Sequence, residues 1–396
     1  MSLKSKLIGT AKRLVSNSVK GVMFRAYGLL FSCVALLPVK ENRVVLFSAH
    51  NANFTDGLGE IEKELQKRGG YDIIRVDRQD MLAGGTRLLK FMTLDNMKMA
   101  RAKYIFLNNN FFPMNYMHFN KDTTVVQVWH GQGVFKKWGM DIPQPKRERK
   151  LELGVYAKTD YVVCSAPSCQ AAYASAFNMK PEQVLTTGNP VQDQYFGEEH
   201  IGEAACATRR AAFDKQYPEC AGKYLVLYSP TFRDDGTSVL DHMDLGRLKA
   251  AVDTGLKATK SSVTECQILL RLHPHDAEAG KPVNVDGVTD MNQYPNSNDL
   301  CYLADVMITD YSSICMNMAL LDKPMVFYAY DLQDFARDFC YPYETVGGPI
   351  CTTMEDLIAT FEAMDFADSK RAHFRELHFG TPTAGATARL LDAVMK

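Results

Sequence analysis

From residue 43 onward the chain alternates short β-branched or aromatic runs with stretches of helical periodicity. The runs fall at 44–47, 72–76, 104–108, 125–129, 161–164 and 184–187. Alternation of this kind predicts parallel strands joined by crossover helices. A helical, mixed-charge stretch from about 200 to 222 interrupts the pattern, which restarts with runs at 224–228, 267–271, 306–309 and 324–328. The restart predicts a second Rossmann-like unit. With 396 residues the chain also exceeds the roughly 250 to 300 residues that one hydrophobic core serves. The expected division is therefore a leading segment over 1–40, a first domain over 41–200, a second over 201–380 and a closing helix over 381–396.

The leading segment is read separately because its charge is one-sided. Lys4, Lys6, Lys12, Arg13, Lys20, Arg25 and Lys40 occur there without one carboxylate, and residues 26–39 are apolar apart from Ser32. A spanning helix needs about 18 to 20 apolar residues, and this run is shorter, so attachment along an anionic membrane surface is expected rather than crossing. A surface or core-packed helix and a signal peptide are the rival readings.

Composition narrows the class. At 46% hydrophobic residues the chain has ample material for packed cores, and a net charge of −1 provides no general field for gripping nucleic acid, so no nucleic-acid partner is expected. Ten cysteines without a C-x-x-C pair, several inside apolar runs, read as reduced, buried thiols. Neither the P-loop nor the dinucleotide fingerprint follows any strand, which removes the main support for those chemistries.

In open parallel sheets the ligand sits beyond the carboxyl ends of the strands, so the residues there carry most weight. Four segments qualify. Trp129-His130-Gly131, followed by Lys136 and Lys137, brings a histidine into a glycine turn, suited to proton transfer or to satisfying a loop carbonyl. Thr231 and Arg233 can donate to an oxyanion, or form an ordinary turn with the acids that follow, Asp234 and Asp235. Arg271 and His273 lie two apart, on one face of a strand that Pro274 is expected to end, with a metal site as a weak rival. Asp310, Ser312 and Ser313 precede an apolar helix, where serines cap and the free amides also bind phosphate.

These four segments, in this order, resemble the bacterial CDP-glycerol glycerophosphotransferases that build wall teichoic acids and related capsules. The run from Asp305 to Ser313, Lys323 to Leu332, Tyr341 to Glu344 and Gly348-Pro349 extend the likeness over about residues 40 to 390. The resemblance implies a GT-B fold, in which two Rossmann-like domains, for acceptor and donor, have parallel sheets facing a central cleft. It implies transfer of an alditol phosphate from a CDP ester to a hydroxyl of a polyprenyl-diphosphate-linked or polymer acceptor, without metal or cofactor. It also implies a peripheral protein on the cytoplasmic face of the membrane, similar in size to the priming enzymes. Three departures stand out: Gln132 and Gly133 where the family turn reads W-H-G-T-P, Val191 where an arginine follows G-x-P, and Asn317 where an acid is common. They leave CDP-glycerol, CDP-ribitol or another CDP-alditol open as donor.

The expected mechanism is in-line attack on the alditol-bearing phosphorus with CMP leaving. His130 is the expected base, His273 and Arg233 hold the diphosphate, and Ser312 and Ser313 with their amides complete an oxyanion cradle; the histidine roles could exchange. Trp129, Gly131, Thr231, Arg271, Asp310 and Asn317 are expected around the substrates, with Glu344 at the donor ribose. A nucleotide-sugar glycosyltransferase and a non-catalytic assembly module are the alternatives.

Overall fold

The computed structural model describes residues 20–49, 54–233, 236–273, 283–335 and 338–395. The leading residues 1–19, the acids Asp234 and Asp235, and Pro274 lie outside that set. Two six-stranded sheets organise the described chain. The first holds β1 (Lys40–Ser48), β2 (Asp72–Asp77), β3 (Ala102–Leu107), β4 (Thr124–Gln127), β5 (Tyr161–Val163) and β6 (Val184–Leu185) in the order β2-β1-β3-β4-β5-β6. The second holds β7 (Tyr224–Tyr228), β8 (Cys266–Leu270), β9 (Val288–Asp290), β10 (Val306–Thr309), β11 (Met325–Tyr328) and β12 (Ile350–Cys351) in the order β12-β11-β10-β7-β8-β9. Every pairing within the two sheets is parallel.

The near-continuous apolar runs reflect burial on both faces. In β1, Val44 and Leu46 face a cluster containing Leu58, Ile61, Leu390 and Leu391. Val45 and Phe47 face the opposite cluster, with Tyr27 and Phe31. The closing helix, Ala386–Val394, thus returns from the second half of the chain to pack on the first sheet. Asp193 fixes its start by accepting from the amides of Gly385, Ala386 and Thr387 at 2.7, 2.9 and 2.8 Å.

Three expectations need correction. The edge strands β9 and β12 were not anticipated, since segments of three and two residues carry too little periodicity to stand out. The fourth strand stops at Gln127, so Trp129 belongs to the turn beyond it. The eighth stops at Leu270, before both Arg271 and His273, so Pro274 is not what ends it.

The apolar leading segment is a helix over 20–34. Tyr27 stacks on Phe91 at 5.1 Å between ring centroids, and Phe31 meets Phe119 edge-on at 4.9 Å. Gly28 permits the close approach, because a Cβ there would lie 2.3 Å from the carbonyl oxygen of Tyr116. The other side leaves Val22 and Leu29 exposed, and Leu36 is exposed in the turn that follows. Among the described residues no helix is long and apolar enough to cross a membrane.

All ten cysteines are free. Burial pushes the thiols of Cys164, Cys266 and Cys301 up to about 12, so they sit protonated in the cores.

Candidate active site

The chain leaves β4 through Val128 into Trp129, whose φ of 59° is a left-handed conformation that non-glycine residues seldom adopt. The Trp129 amide donates to Gln127 Oε1 at 3.0 Å, while Asn189 Nδ2 donates to the Val128 carbonyl at 2.8 Å. These two bonds hold the turn, and His130 emerges from it with its ring 4.1 Å from that of Trp129. His130 Nδ1 lies 3.4 Å from the Asn108 carbonyl oxygen. A carbonyl only accepts, so this long contact favours a proton on Nδ1 and the lone pair on Nε2.

Asn108 is itself held: its Nδ2 donates to Asp56 Oδ2 at 2.6 Å and to Ser48 Oγ at 3.2 Å, and its Oδ1 accepts from the Ala49 amide at 2.7 Å. Asp56 also caps the helix Gly57–Arg68. Asn108, Asp56 and Asn189 were absent from the sequence-derived candidates. A serviceable signal existed for Asp56, an N-cap acid following β1.

The glycine turn continues to Gly133, at φ 61°, where a Cβ would meet Met316 Sδ at 2.8 Å. The Gly133 amide donates to Ser165 Oγ at 2.8 Å. The left-handed backbone there, with Met316 and His378 packed close, favours the glycine that departs from the family turn.

A cavity of about 500 Å³ gathers residues from the ends of both sheets. From the first half come Asp56, His130, Gly131, Gln132 and Val191; from the second come Ser229, Arg271, His273, Ser312, Ser313 and Asn317. A neighbouring cavity of about 780 Å³ shares His130, Gly131, Gln132 and Ser313 and adds Trp129, Lys136, Lys137 and Trp138. Eight of the expected residues, Trp129, His130, Gly131, Arg271, His273, Ser312, Ser313 and Asn317, thus line this pair of cavities.

Arg271 donates through Nη1 to the carbonyls of Met291, Asn292 and Tyr294 at 2.5, 2.6 and 3.0 Å. Burial lowers its pKa, against the weaker opposing field of Asp290, and no carboxylate pairs with it among the described residues. A partly buried cation of this kind is matched by an anion. His273 packs its ring on Phe232 at 4.5 Å. The amides of Ser312 and Ser313 have no hydrogen-bond acceptor among the described residues, whereas those of Cys315 and Met316 return to the carbonyls of Ser312 and Ser313.

Four expectations change. Arg233 does not line the cavity: it is 8% exposed at the side chain and pairs with Asp310 at 2.9 Å and Asp331 at 2.5 Å. Burial opposes its charge, but the two carboxylates outweigh burial and raise its pKa. Asp310 is committed as well, accepting from the amides of Thr231 at 2.8 Å and Tyr311 at 2.5 Å. Thr231 is buried, its hydroxyl has no partner among the described residues, and it contributes its amide to that cluster. Glu344 is exposed on the turn Tyr343–Thr345 and lines neither cavity. The first three residues bolt together the loops after β7, β10 and β11.

The family model described as CDP-glycerol:poly(glycerophosphate) glycerophosphotransferase matches residues 29–396, and the chain belongs to this family of transferases. The resemblance read from the strand-end segments is thereby borne out. The chain is 32% identical over 396 residues to the teichoic acid ribitol-phosphate primase of Bacillus spizizenii, covering 97% of each protein. It is 28% identical over 284 residues to the teichoic acid glycerol-phosphate primase of the same organism, covering 70% of each. Among solved structures, the wall teichoic acid polymerase TagF superposes with a TM-score of 0.73 at 19% identity, covering 99% of this chain and 98% of that one. At that identity the likeness concerns the fold.

Proposed function

We propose that the protein transfers an alditol phosphate from a CDP-alditol to a hydroxyl of a polyprenyl-diphosphate-linked or polymer acceptor in teichoic acid or capsule synthesis, releasing CMP. The carrying observation is the cavity into which both sheets deliver their strand-end chemistry: His130 from one side, Arg271, His273, Ser312 and Ser313 from the other. On this reading the fold is GT-B and the cavity is part of its central cleft.

His130 Nε2 takes the proton of the acceptor hydroxyl as its oxygen attacks the alditol-bearing β-phosphorus. The bond from that phosphorus to the bridging oxygen breaks, and CMP leaves with the electron pair. Arg271 and His273 balance the charge on the departing phosphate, taking the place first expected of Arg233. The amides and hydroxyls of Ser312 and Ser313 face the non-bridging oxygens; fixed donors aimed at developing charge supply much of the stabilisation. Trp129 and Gly131 shape the approach of the acceptor. No cofactor enters this scheme.

The protein acts at the cytoplasmic face of the membrane, held peripherally. The exposed stripe Val22, Leu29 and Leu36 beside Lys20 and Arg25 supports this. The similarity to a ribitol-phosphate primase supports an alditol phosphate as the transferred group. Mass analysis of the products formed from CDP-glycerol and CDP-ribitol with a lipid-linked acceptor mimic tests the reading. CMP together with an acceptor heavier by one or more alditol phosphates is expected. Release of UDP or GDP from a nucleotide sugar, with neither CDP-alditol consumed, would overturn it.

A further inference from the structure

Gln132 stands in the wall shared by the two cavities, beside His130. Its Nε2 crosses from the first half of the chain to the second, donating to Asn317 Oδ1 at 2.9 Å. Asn317 Nδ2 donates onward to Asn298 Oδ1 at 2.8 Å. Three neutral amides thus form a directed relay across the site. The relay ends at Gln132 Oε1, which is buried and has no hydrogen-bond partner among the described residues.

Buried polar atoms in native proteins are almost always paired, so an orphan at a reaction site calls for a ligand that completes it. The character of the orphan limits that ligand. An acceptor oxygen repels phosphate oxygens, whose natural partner here is Arg271. An alcohol both donates and accepts, and so complements the end of an amide relay whichever way the three amides point. Of the alcohol-bearing groups that the proposed reaction brings to the site, the donor's alditol is the one joined directly to the phosphorus that Arg271 and His273 face.

We infer that Gln132 is a specificity-determining residue that pairs with a hydroxyl of the donor's alditol, favouring the five-carbon chain of ribitol over the three-carbon chain of glycerol. The inference rests on the proposed alditol-phosphate transfer. Length is the discriminating feature because Gln132 lies in the wall shared by the two cavities, on the opposite half of the chain from Arg271. A chain with four hydroxyls, anchored through its phosphate near Arg271, extends further toward that wall than one with two. A short alditol leaves Oε1 unpaired, and sites built around a substrate hydroxyl reject analogues that lack it. Asn317 and Asn298 are positioning residues that hold the glutamine amide.

The test compares kcat/KM for CDP-ribitol and CDP-glycerol in wild type, Gln132→Met and Asn317→Ala, with thermal melts of each. Gln132→Met keeps length and volume without the amide, and is expected to lower the ribitol-to-glycerol ratio by about tenfold or more. Asn317→Ala keeps Gln132 but frees it, and is expected to lower the ratio less. A ratio unchanged in folded Gln132→Met, or equal losses for both donors, would overturn the inference while leaving the transfer reaction standing. Should Gln132→Met fail to fold, an unchanged ratio in Asn317→Ala would overturn it. A wild type that releases CMP from neither donor would overturn the proposed reaction, and the inference with it.

Discussion

Arg233 grips both carboxylate oxygens of Asp331, Nε to Oδ2 at 2.5 Å and Nη2 to Oδ1 at 3.0 Å, while its Nη1 reaches Asp310 Oδ2 at 2.9 Å. Removing one partner from a buried charge cluster leaves the others uncompensated, at a cost of about 3 to 5 kcal/mol. Arg233→Ala is therefore expected to lose activity together with stability, seen as a lower midpoint in denaturant. A variant as stable as wild type but inactive would return Arg233 to direct contact with substrate.

His130→Ala and His273→Ala are expected to behave differently from that, each losing at least about a hundredfold in turnover with the melting transition unchanged. Both line the cavity, and neither belongs to the buried charge cluster. Single-turnover rates alongside thermal melts make the comparison. A near-normal rate in either variant would take that residue out of the mechanism.

The Val134 amide lies 3.3 Å from His378 Nδ1, a contact in which the ring nitrogen must accept. His378 belongs to the helix Asp368–Phe379, and burial, with a smaller push from His373, lowers its pKa to about 3. Unfolded, the ring protonates near 6.5. Between those values the unfolded chain binds more protons, so this contribution to stability is complete above about pH 6.5 and declines as pH falls toward 3. The slope approaches about 1.4 kcal/mol per pH unit. Urea titrations of wild type and His378→Asn from pH 4 to 7 should show a shallower dependence in the variant; parallel curves would contradict the assignment.

Deleting residues 1–39 should damage the fold, since Tyr27, Phe31 and Ala35 are buried in the first core and loss of one such aromatic side chain costs about 3 to 5 kcal/mol. The membrane question is better put to the outward stripe. Val22→Glu, Leu29→Glu and Leu36→Glu together should leave the melt unchanged and release the protein from anionic vesicles in a flotation assay. Undiminished vesicle binding at low salt would show that the stripe does not contact lipid.

The proposed transfer draws its charge stabilisation from Arg271, His273 and the amides and hydroxyls of Ser312 and Ser313 in the cavity wall. Turnover should therefore survive a chelator. Abolition by chelator with rescue by magnesium would require a metal in the transfer step.

The sequence by itself determined the alternation of strands and helices, the two-unit division of the pattern and the family, because these rest on local periodicity and on short segments contiguous in the chain. His130, Arg271, His273 and the two serines were legible for the same reason: each lies shortly beyond a strand that an apolar run announces, even though the fourth and eighth strands stop before their runs do. What each polar side chain does was decided only in three dimensions. Arg233 and Arg271 look alike in sequence, but folding sets two paired carboxylates around the first and three carbonyls around the second, with no paired carboxylate among the described residues, so one becomes a bolt and the other stands open to an anion. Gln132 and Asn317 lie 185 positions apart, and only the packing of one half of the chain on the other brings their amides to 2.9 Å. The leading helix shows the same limit: its apolar run, read as a membrane-facing surface with a core-packed helix as rival, does not itself assign Tyr27 and Phe31 to the core and Leu29 to the outside, which only the fold does. Pairing depends on distance in space, which local pattern does not encode.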